Sequence, residues 1–443
     1  MKLPVLLFIC WIPLGLHAQT TLSLEECIEY TLANHPSLGI FQNNVKIADA
    51  KSMQAVSAYL PQINGSVAFQ DNLILATTII PAGVFGPNEA RVQFGNQYTT
   101  NALVDLSQAI YDQSKLNGIK ATKPYAELTK LEQEQHREVL IYQTSAAFFQ
   151  VLTLQQQLSD LSRTLGTYQD LLAIIKVQVE KGVVDFRERD RILINLKSVE
   201  YNIAEAKARL EVSKITLKNA MGMDLGEPLE LDSQGKYEAL VNLPETRTFD
   251  RSQLYDYRIG AANLALQEIN VSTYRSAYLP TLSANARVGS QAFSNEFSTA
   301  FSTWNNFSYI GLTVNVPIFS GLRRSSLLKE QTFTLANAKI NLDLTERNLE
   351  LKAESAYSDL LTAYNKVQSQ ASNVELAQSV LESTTVQYEK GTASSTEFLN
   401  DDNSFQTAQN QYLSSIYAFL IARLNYENAT GNLSNFYQSF NQE

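Results

Sequence analysis

The sequence repeats itself, and this duplication constrains the possible folds more than any other feature. The segment Val177–Gly182 (VQVEKG) matches Val386–Gly391 (VQYEKG) at an offset of 209 residues. At the same offset, the NAMG tetrapeptide ending at Gly222 matches the NATG tetrapeptide ending at Gly431. A constant offset over a long stretch indicates that one supersecondary unit occurs twice. The sequence therefore predicts two structural repeats.

One part of each repeat is typical of long helices. Residues 322–390 contain no Gly or Pro over 69 positions, and 392–430 and 183–221 each continue for 39 more. Apolar residues recur at spacings of three and four, and Ala, Leu, Glu and Gln are frequent. A helix of that length extends roughly 100 Å. Gly182 and Gly391 can adopt positive φ and reverse the chain. We predict helical hairpins over about 113–222, with its tip at 182, and about 321–431, with its tip at 391.

The other part of each repeat is typical of strands. Strands are predicted at about 61–76 and 92–110 in the first repeat, and at about 279–290 and 307–319 in the second. Apolar and polar residues alternate along them, as in Leu282-Ser283-Ala284-Asn285-Ala286-Arg287-Val288. Period two with one polar face suits a wall between lipid and water. The segments 71–96 and 290–306, which carry Gly, Pro, Asn and aromatic residues, are predicted to be loops.

The small number of strands bears on assembly. A sheet that faces lipid cannot leave its edge groups unpaired, and about eight strands form the smallest closed membrane barrel. Four strands per copy cannot close alone. The expected fold class is mainly α with a β membrane part, in which three copies form a 12-stranded β-barrel continued by an α-helical barrel.

The domain organisation follows from these elements. We expect a signal peptide at 1–18, from Lys2, the apolar run 3–16 and the small residue Ala18. The first repeat is placed at 19–222, a linker at 223–250, the second repeat at 251–431 and a C-terminal tail at 432–443. Cys10 follows Phe8 and Ile9 rather than a small residue, so no lipid anchor is expected there. Cys27 is expected to be a small buried side chain.

Composition argues against several other functions. The chain carries 45 acidic and 35 basic residues, a net charge of −10, and its basic residues are scattered, which disfavours nucleic acid as a partner. Its three histidines are far apart, so no metal site and no cofactor are expected. The packing interpretation is favoured for Met221 over soft-metal binding. No nucleophile–base set or phosphate loop is present, so we expect no enzyme.

In their order and spacing, these features resemble the TolC-like outer-membrane efflux proteins of Gram-negative bacteria. The resemblance includes the Tyr-Leu-Pro strand entries, the strand exit Pro317–Gly321, the Glu-Lys-Gly tips and the opening segment Leu22–Ile28. It implies a homotrimer with its barrel in the outer membrane and its helices forming a periplasmic tunnel, which is open to the outside and narrowed at the periplasmic tips. It also implies a passive exit duct of a tripartite efflux or type I secretion system. The implied partners are outer-membrane lipid, a periplasmic adaptor (membrane fusion) protein and an inner-membrane transporter of RND, ABC or MFS type.

The resemblance also implies roles for particular residues. Those implied to dock the adaptor are the hairpin tips: Glu180, Lys181, Gly182, Val183, Glu389, Lys390, Gly391 and Thr392. Those implied to gate the channel are Glu397 and Asn400, at the positions of an acidic ring, and Tyr388 and Glu188, which could hydrogen-bond across helices. Asn400 is a neutral departure from that ring. Ala393 replaces an expected basic latch, and whether Arg187, Arg189 or Arg191 substitutes for it stays open. Three like carboxylates in a narrow pore attract cations and repel anions.

Several alternatives remain open at this point. The second candidate function is an exported oligomeric coiled-coil structural or adhesion protein, which would need sustained heptads and no alternating strands. Drug efflux, metal efflux and protein secretion use similar ducts, and no residue selects among them. Pro124 should kink the first long helix or delay its start. The aromatic residues Phe293, Phe297, Phe301, Trp304 and Phe307 are interpreted as an interfacial girdle rather than as loop packing.

Overall fold

The computed structural model describes residues 21–84, 86–231, 241–244 and 249–438. The predicted signal peptide lies outside these residues, as do parts of the predicted linker and tail. The described chain forms two compact units. The first comprises the residues up to Ile40, Gln133–Leu254 and Glu346 onward, and the second comprises Phe41–Glu132 and Tyr255–Thr345.

Helices make up most of the described chain. They are α1 (Leu24–Asn34), α2 (Pro36–Ser57), α3 (Gln113–Glu180), α4 (Phe186–Met221), α5 (Tyr255–Ser276), α6 (Arg323–Glu389), α7 (Ser395–Thr430) and α8 (Leu433–Gln438). Two of them are very long, with 68 residues in α3 and 67 in α6. None of the helices in the described part of the chain is both long and apolar enough to cross a membrane.

The first long helix does not begin later than its counterpart, although Pro124 lies inside it. Asp112 fixes its start, because the Asp112 carboxylate accepts hydrogen bonds from the Ser114 backbone N–H at 3.0 Å and the Ser114 hydroxyl at 2.6 Å. Such an N-cap satisfies backbone donors that have no partner within the helix. The delayed start is therefore corrected: α3 begins at Gln113.

Two helices of 22 residues, α2 and α5, were not anticipated. Each ends a few residues before a Tyr-Leu-Pro strand entry, so they occupy equivalent positions in the two repeats. In the second unit, the Asn117 side-chain amide of α3 donates to the hydroxyl of Ser276 at the end of α5, at 2.9 Å. A helix thus precedes each of the predicted strand entries.

The strands are β1 (Gln62–Asp71), β2 (Thr77–Ile80), β3 (Ala90–Gln93), β4 (Tyr98–Tyr111), β5 (Thr281–Ser294) and β6 (Trp304–Asn315). Four of them form an antiparallel sheet in the order β1-β4-β5-β6. The other two, β2 and β3, pair only with each other. The segment predicted as a loop at 71–96 therefore contains a two-stranded ribbon. The loop prediction is wrong there because strands of four residues show little alternation of apolar and polar residues.

The register of the four strands places side chains of similar character in rows on the two faces of the sheet. One row across the strands consists of Ile63, Leu106, Ala286 and Ile310, and the neighbouring row on the other face consists of Asn64, Asp105, Arg287 and Tyr309. The apolar face is exposed, with Val67 at 77% and Ile310 at 85% of their full accessible surface. On the polar face, Arg287 forms an ion pair with Asp105. Among the described residues, no strand pairs with the outer edge of β1 or of β6.

The first unit contains the larger core. Its fully buried members include Cys27, Phe149, Leu217, Met221, Leu360 and Phe419. The packing interpretations of Cys27 and Met221 are confirmed, and burial together with the charge of Glu26 raises the pKa of Cys27 to about 12. These side chains pack α1, α3, α4, α6 and α7 against one another within this unit.

Candidate functional site

The two hairpin tips have the same backbone turn. Gly182 and Gly391 adopt φ of +69° and +76°. The N–H of the following residue reaches back over the helix end, from Val183 to the Gln178 carbonyl at 2.9 Å and from Thr392 to the Gln387 carbonyl at 2.9 Å. This is the Schellman motif, in which a left-handed residue ends a helix and satisfies its last carbonyls. The glycine at each tip therefore determines the backbone conformation of the turn.

A capping side chain starts the next helix at each tip. The Asp185 carboxylate accepts from the Arg187 backbone N–H at 2.9 Å, and the Ser394 hydroxyl accepts from the Glu397 backbone N–H at 3.2 Å. Hydrogen bonds from Arg187 lower the pKa of Asp185 to about 2. Both helices thus begin four residues after the tip glycine, in equivalent positions of the two repeats.

The side chains at the tips point outward. Every one of the eight residues predicted to dock an adaptor, Glu180–Val183 and Glu389–Thr392, is exposed in the single chain. Exposed charged and apolar groups at a helix–helix turn are available to a partner. Their role in docking stays a prediction.

Beneath the tips lies a small core of aromatic and aliphatic side chains. Phe398 is fully buried and lies between two tyrosines, stacked on Tyr388 with ring centroids 5.4 Å apart and edge-on to Tyr168 at 6.4 Å. Ile192 and Leu196 of α4 belong to the same core. Tyr388 is therefore held through its ring, independently of its hydroxyl.

Glu188 and Tyr388 are near each other but are not hydrogen-bonded within the described chain. Burial and the nearby Glu188 carboxylate raise the pKa of Tyr388 to about 12. Glu188 instead contacts Arg191, whose guanidinium lies 3.4 Å from the carboxylate. Arg191 also donates to the Thr396 hydroxyl at 2.8 Å, which ties α4 to the start of α7.

The three arginines considered as substitutes for the missing latch behave differently. Arg187 pairs with Asp185, and Arg189 pairs with the adjacent Asp190. Of the three, Arg191 alone makes a hydrogen bond to another helix among the contacts of the described residues. Arg191 therefore links α4 to α7, and which of the three arginines substitutes for the latch missing at Ala393 stays open.

Glu397 and Asn400 both lie in the first two turns of α7 and are exposed. Three residues apart on a helix, they share one face. Within the described chain the Glu397 carboxylate has no ion-pair partner. An exposed, unpaired carboxylate at this position is available to form a ring of charge if copies of the chain surround a pore.

Sequence reasoning missed a buried polar network beside these residues. The Asp402 carboxylate, 4% exposed, accepts hydrogen bonds from the Tyr168 hydroxyl at 2.6 Å and from the Gln406 amide at 2.5 Å. Desolvation raises the pKa of Asp402, although both hydrogen bonds oppose that shift. The neighbouring Asp401 accepts from Thr384 of α6 at 2.6 Å. Two adjacent acids thus tie α7 to two different helices.

No signal in the sequence links Tyr168 to Asp402, because 234 residues separate them. The pair lies on α3 and α7, which belong to different repeats and meet only in the folded unit. The acidic run Asp401-Asp402 after the tip is visible in the sequence, but its inward orientation is not.

The structure provides no evidence of a metal centre in the part of the chain that it describes, where no three His, Cys, Asp or Glu side chains converge. His35 and His136, which are far apart in the sequence, are brought together by the Ser37 hydroxyl, which lies 2.7 Å from one ring nitrogen and 2.6 Å from the other. Burial lowers the pKa of both histidines.

Twin helical hairpins with matched glycine tips, joined to a sheet with one exposed apolar face, define a class of protein built like outer-membrane channels. The family model described as outer membrane efflux protein matches residues 27–223 and 256–432, well over half of the chain. The chain belongs to the outer membrane efflux protein family.

Individual relatives are distant in sequence but similar over most of their length. The outer membrane efflux protein BepC of Brucella suis is 24% identical over 421 residues, covering 90% of this chain and 83% of BepC. Outer membrane protein TolC of Salmonella enteritidis is 23% identical over 361 residues, covering 76% and 70%. The fold is similar to that of the CmeC outer membrane channel of Campylobacter jejuni, with a TM-score of 0.74, 19% identity and coverage of 94% and 88%.

Proposed function

We propose that this protein is the outer-membrane exit duct of a tripartite efflux or type I secretion system. Three copies form a 12-stranded barrel in the outer membrane, and their helices continue it as a tunnel in the periplasm. Substrate passes through passively, driven by an inner-membrane transporter, and the duct itself catalyses no reaction. Membership of the outer membrane efflux protein family supports the function and the location.

The observation that carries the proposal is the unfinished sheet. Its apolar face is exposed, and its edge strands β1 and β6 have no partner in the described chain. Each unsatisfied backbone group in hydrocarbon costs several kcal/mol. A four-stranded sheet therefore enters a membrane only when other copies supply strands at both edges.

Strand direction allows such closure. The four strands alternate in direction, so β1 and β6 run antiparallel to each other. When β6 of one copy meets β1 of the next, the antiparallel pattern continues around the ring. The same argument disfavours an exported coiled-coil adhesion protein, which needs no sheet with an exposed apolar face.

The tips support the proposed partners. Two chemically similar exposed turns, around Gly182 and Gly391, recur in each copy. In a trimer they form six equivalent ends, which suits a ring of periplasmic adaptor hairpins. Glu397 lies close to these ends, where a ring of three carboxylates favours cations in the pore.

Two proline substitutions in β1 test the shared barrel. Backbone N–H groups alternate sides along a strand, so one of Val67→Pro and Ala68→Pro removes an N–H directed at β4 and the other removes one directed outward. If the outer edge is paired with another copy, we expect both variants to lose the trimer and its channel conductance. Trimer is measured by native mass spectrometry in detergent, and conductance in planar bilayers.

The matched controls are Val67→Ala and Ala68→Val, which alter the same side chains but keep the N–H groups. Proline is tolerated on an edge strand where its missing donor would face solvent. Normal trimer formation by the variant that removes the outward-directed N–H would therefore contradict pairing at the outer edge of β1. A wild-type protein that is a water-soluble monomer without conductance would contradict the whole proposal.

A further inference from the structure

The β1–β4 hairpin extends beyond the other two strands of its sheet. The last pair of the four-stranded part is Asp71 with Tyr98. One further hydrogen bond joins the two segments, from the Asn72 N–H to the Gln97 carbonyl at 2.7 Å, and after an irregular stretch on each side pairing resumes between β2 and β3. We call the described residues of 72–97 the projecting ribbon. Its strands β2 and β3 have four residues each and extend roughly 13 Å at about 3.3 Å per residue.

The neighbouring strands stop where the ribbon begins. β5 ends at Ser294, opposite Tyr98, and β6 begins at Trp304. In the described chain, no third strand accompanies β2 and β3. An isolated two-stranded ribbon is marginally stable in water, so this one needs support from outside its own sheet.

The ribbon is apolar and almost uncharged. Leu73 and Ile74 are 86% and 89% exposed, and Ile79, Val84 and Phe94 are each more than half exposed. Its two charged residues, Glu89 and Arg91, pair with each other at 3.3 Å. Contiguous exposed apolar side chains mark interaction surfaces.

Position and chemistry favour a second copy of the chain as the partner. The ribbon continues from β1, the edge strand that another copy must pair with in the proposed barrel. It lies at the end of the strands away from the helices that begin at Gln113 and Arg323, so it projects on the exterior side. A surface of anionic lipid headgroups would require unpaired basic residues. The ribbon offers only Arg91, already paired with Glu89.

We propose that the projecting ribbons of the three copies meet over the external mouth of the barrel and form an apolar constriction there. This inference rests on the proposed shared barrel. Symmetry places equivalent ribbons around one rim, where their Leu73 and Ile74 side chains bury each other. An apolar constriction opposes water and ion passage by dewetting. The duct would thus be narrowed at its outer end as well as at its periplasmic tips.

Cysteine cross-linking tests the contact directly. In Ile74→Cys we expect oxidation to produce disulfide-linked dimers, with the third copy left free, on non-reducing electrophoresis. The matched control is Val314→Cys, which is also exposed but lies on the apolar face at the opposite end of the sheet. The native Cys27 is fully buried and gives no background. Absence of dimers for Ile74→Cys in a normal trimer would overturn the proposal.

Conductance tests the constriction. The double variant Leu73→Ser/Ile74→Ser removes apolar surface but no buried contact within the chain, so it should assemble normally. We expect its single-channel conductance to rise on the order of 1.5- to 2-fold as the mouth becomes wettable. Unchanged conductance would overturn the constriction. Quenching of a fluorophore at Ile74→Cys by lipid-attached quenchers would likewise overturn it, in favour of a lipid contact.

These outcomes are separable from failure of the proposed function. If copies do not share a barrel, the wild-type protein shows neither trimer nor conductance. If they share a barrel without meeting at the mouth, the wild-type protein still forms a conducting trimer. In that case Ile74→Cys gives no disulfide-linked dimers, and Leu73→Ser/Ile74→Ser has the conductance of the wild type.

Discussion

The glycines that end the helices share a left-handed backbone but have different surroundings. A Cβ added at Gly182 or Gly391 would meet no atom within 4 Å. A Cβ added at Gly222 would lie 2.8 Å from the His35 Cα and 2.8 Å from the Pro36 Cδ. The tip glycines are therefore required for their backbone conformation alone, whereas Gly222 is also required for close packing against the α1–α2 junction.

This difference predicts unequal effects of alanine. Gly182→Ala should cost about 1–2 kcal/mol, the cost of a left-handed non-glycine residue. Gly222→Ala should cost about 1–3 kcal/mol more, because the added methyl overpacks the site. The temperature at which the assembled protein dissociates, followed by electrophoresis without boiling, measures both. Equal destabilisation by the two variants would show that the contact with His35 and Pro36 relaxes freely.

The buried Asp402 predicts a pH-dependent stability. Its pKa is raised in the folded state from an ordinary value of 3.8, so its contribution is fully present below that value and is lost as pH rises through the folded pKa. Asp402→Asn keeps an oxygen that accepts from Tyr168 but removes the buried charge. We expect the variant to gain stability over the wild type as pH rises from about 4, measured as dissociation temperature against pH.

Tyr168→Phe is the companion to that experiment. It removes the hydroxyl donor and leaves the Asp402 carboxylate with one fewer hydrogen bond, which costs about 1–3 kcal/mol. Its effect should grow as pH rises and the carboxylate becomes charged. A stability difference between Asp402→Asn and wild type that does not change with pH would show that folding does not shift the pKa of Asp402.

At the level of elements, the periodicity of apolar residues predicted long helices and strands better than short ones. The 39-residue blocks without Gly or Pro correspond to α4 and α7, and the alternating segments correspond to strands with the expected faces. Helices α2 and α5 escaped prediction because their stabilising contacts, such as Asn117 with Ser276, join distant parts of the chain. The ribbon formed by β2 and β3 escaped for a similar reason, since four-residue strands carry almost no periodic signal.

The proposed gate belongs to this scale, because it would depend on how neighbouring helices meet. The Tyr388 hydroxyl has no hydrogen-bond partner among the described residues of its own copy, and Glu188 lies nearby. We expect Tyr388→Phe to raise the conductance of the closed channel in planar bilayers, while stacking on Phe398 keeps the ring in place.

A variant with both substitutions tests whether Tyr388 and Glu188 interact with each other. If the Tyr388 hydroxyl and the Glu188 carboxylate act on each other, the variant carrying both Tyr388→Phe and Glu188→Gln should match either single variant. Glu389→Gln, an exposed neighbour, is the control and should leave conductance unchanged. Additive increases from the two single changes would show that they act separately.

At the level of the whole molecule, the proposed barrel and the proposed partner docking involve different parts of the chain. In the proposed trimer, barrel closure depends on β1 and β6, whereas the proposed adaptor contacts lie at the hairpin tips. Charge at an exposed docking surface mainly affects association and specificity. The two properties should therefore respond to different substitutions.

Reversing the tip charges tests this separation. We expect Lys181→Glu combined with Lys390→Glu to reduce efflux from cells that contain the matching adaptor and pump, without changing trimer formation or conductance in bilayers. Accumulation of a fluorescent efflux substrate measures the first property. Lys366→Glu, also exposed but within α6, is the control. An equal loss of efflux in the control would show a general charge effect rather than docking at the tips.

The sequence by itself determined the duplication, the long helices, the glycine turns and the two-faced strands. These features depend on neighbours within a few residues, or on a repeat that comparison of the chain with itself reveals. Only the tertiary structure decided that Asp402 points inward to Tyr168, that Arg191 reaches α7, and that β4 lies between β1 and β5. Such contacts join residues far apart in the chain, and their energies depend on burial and geometry that no local pattern encodes.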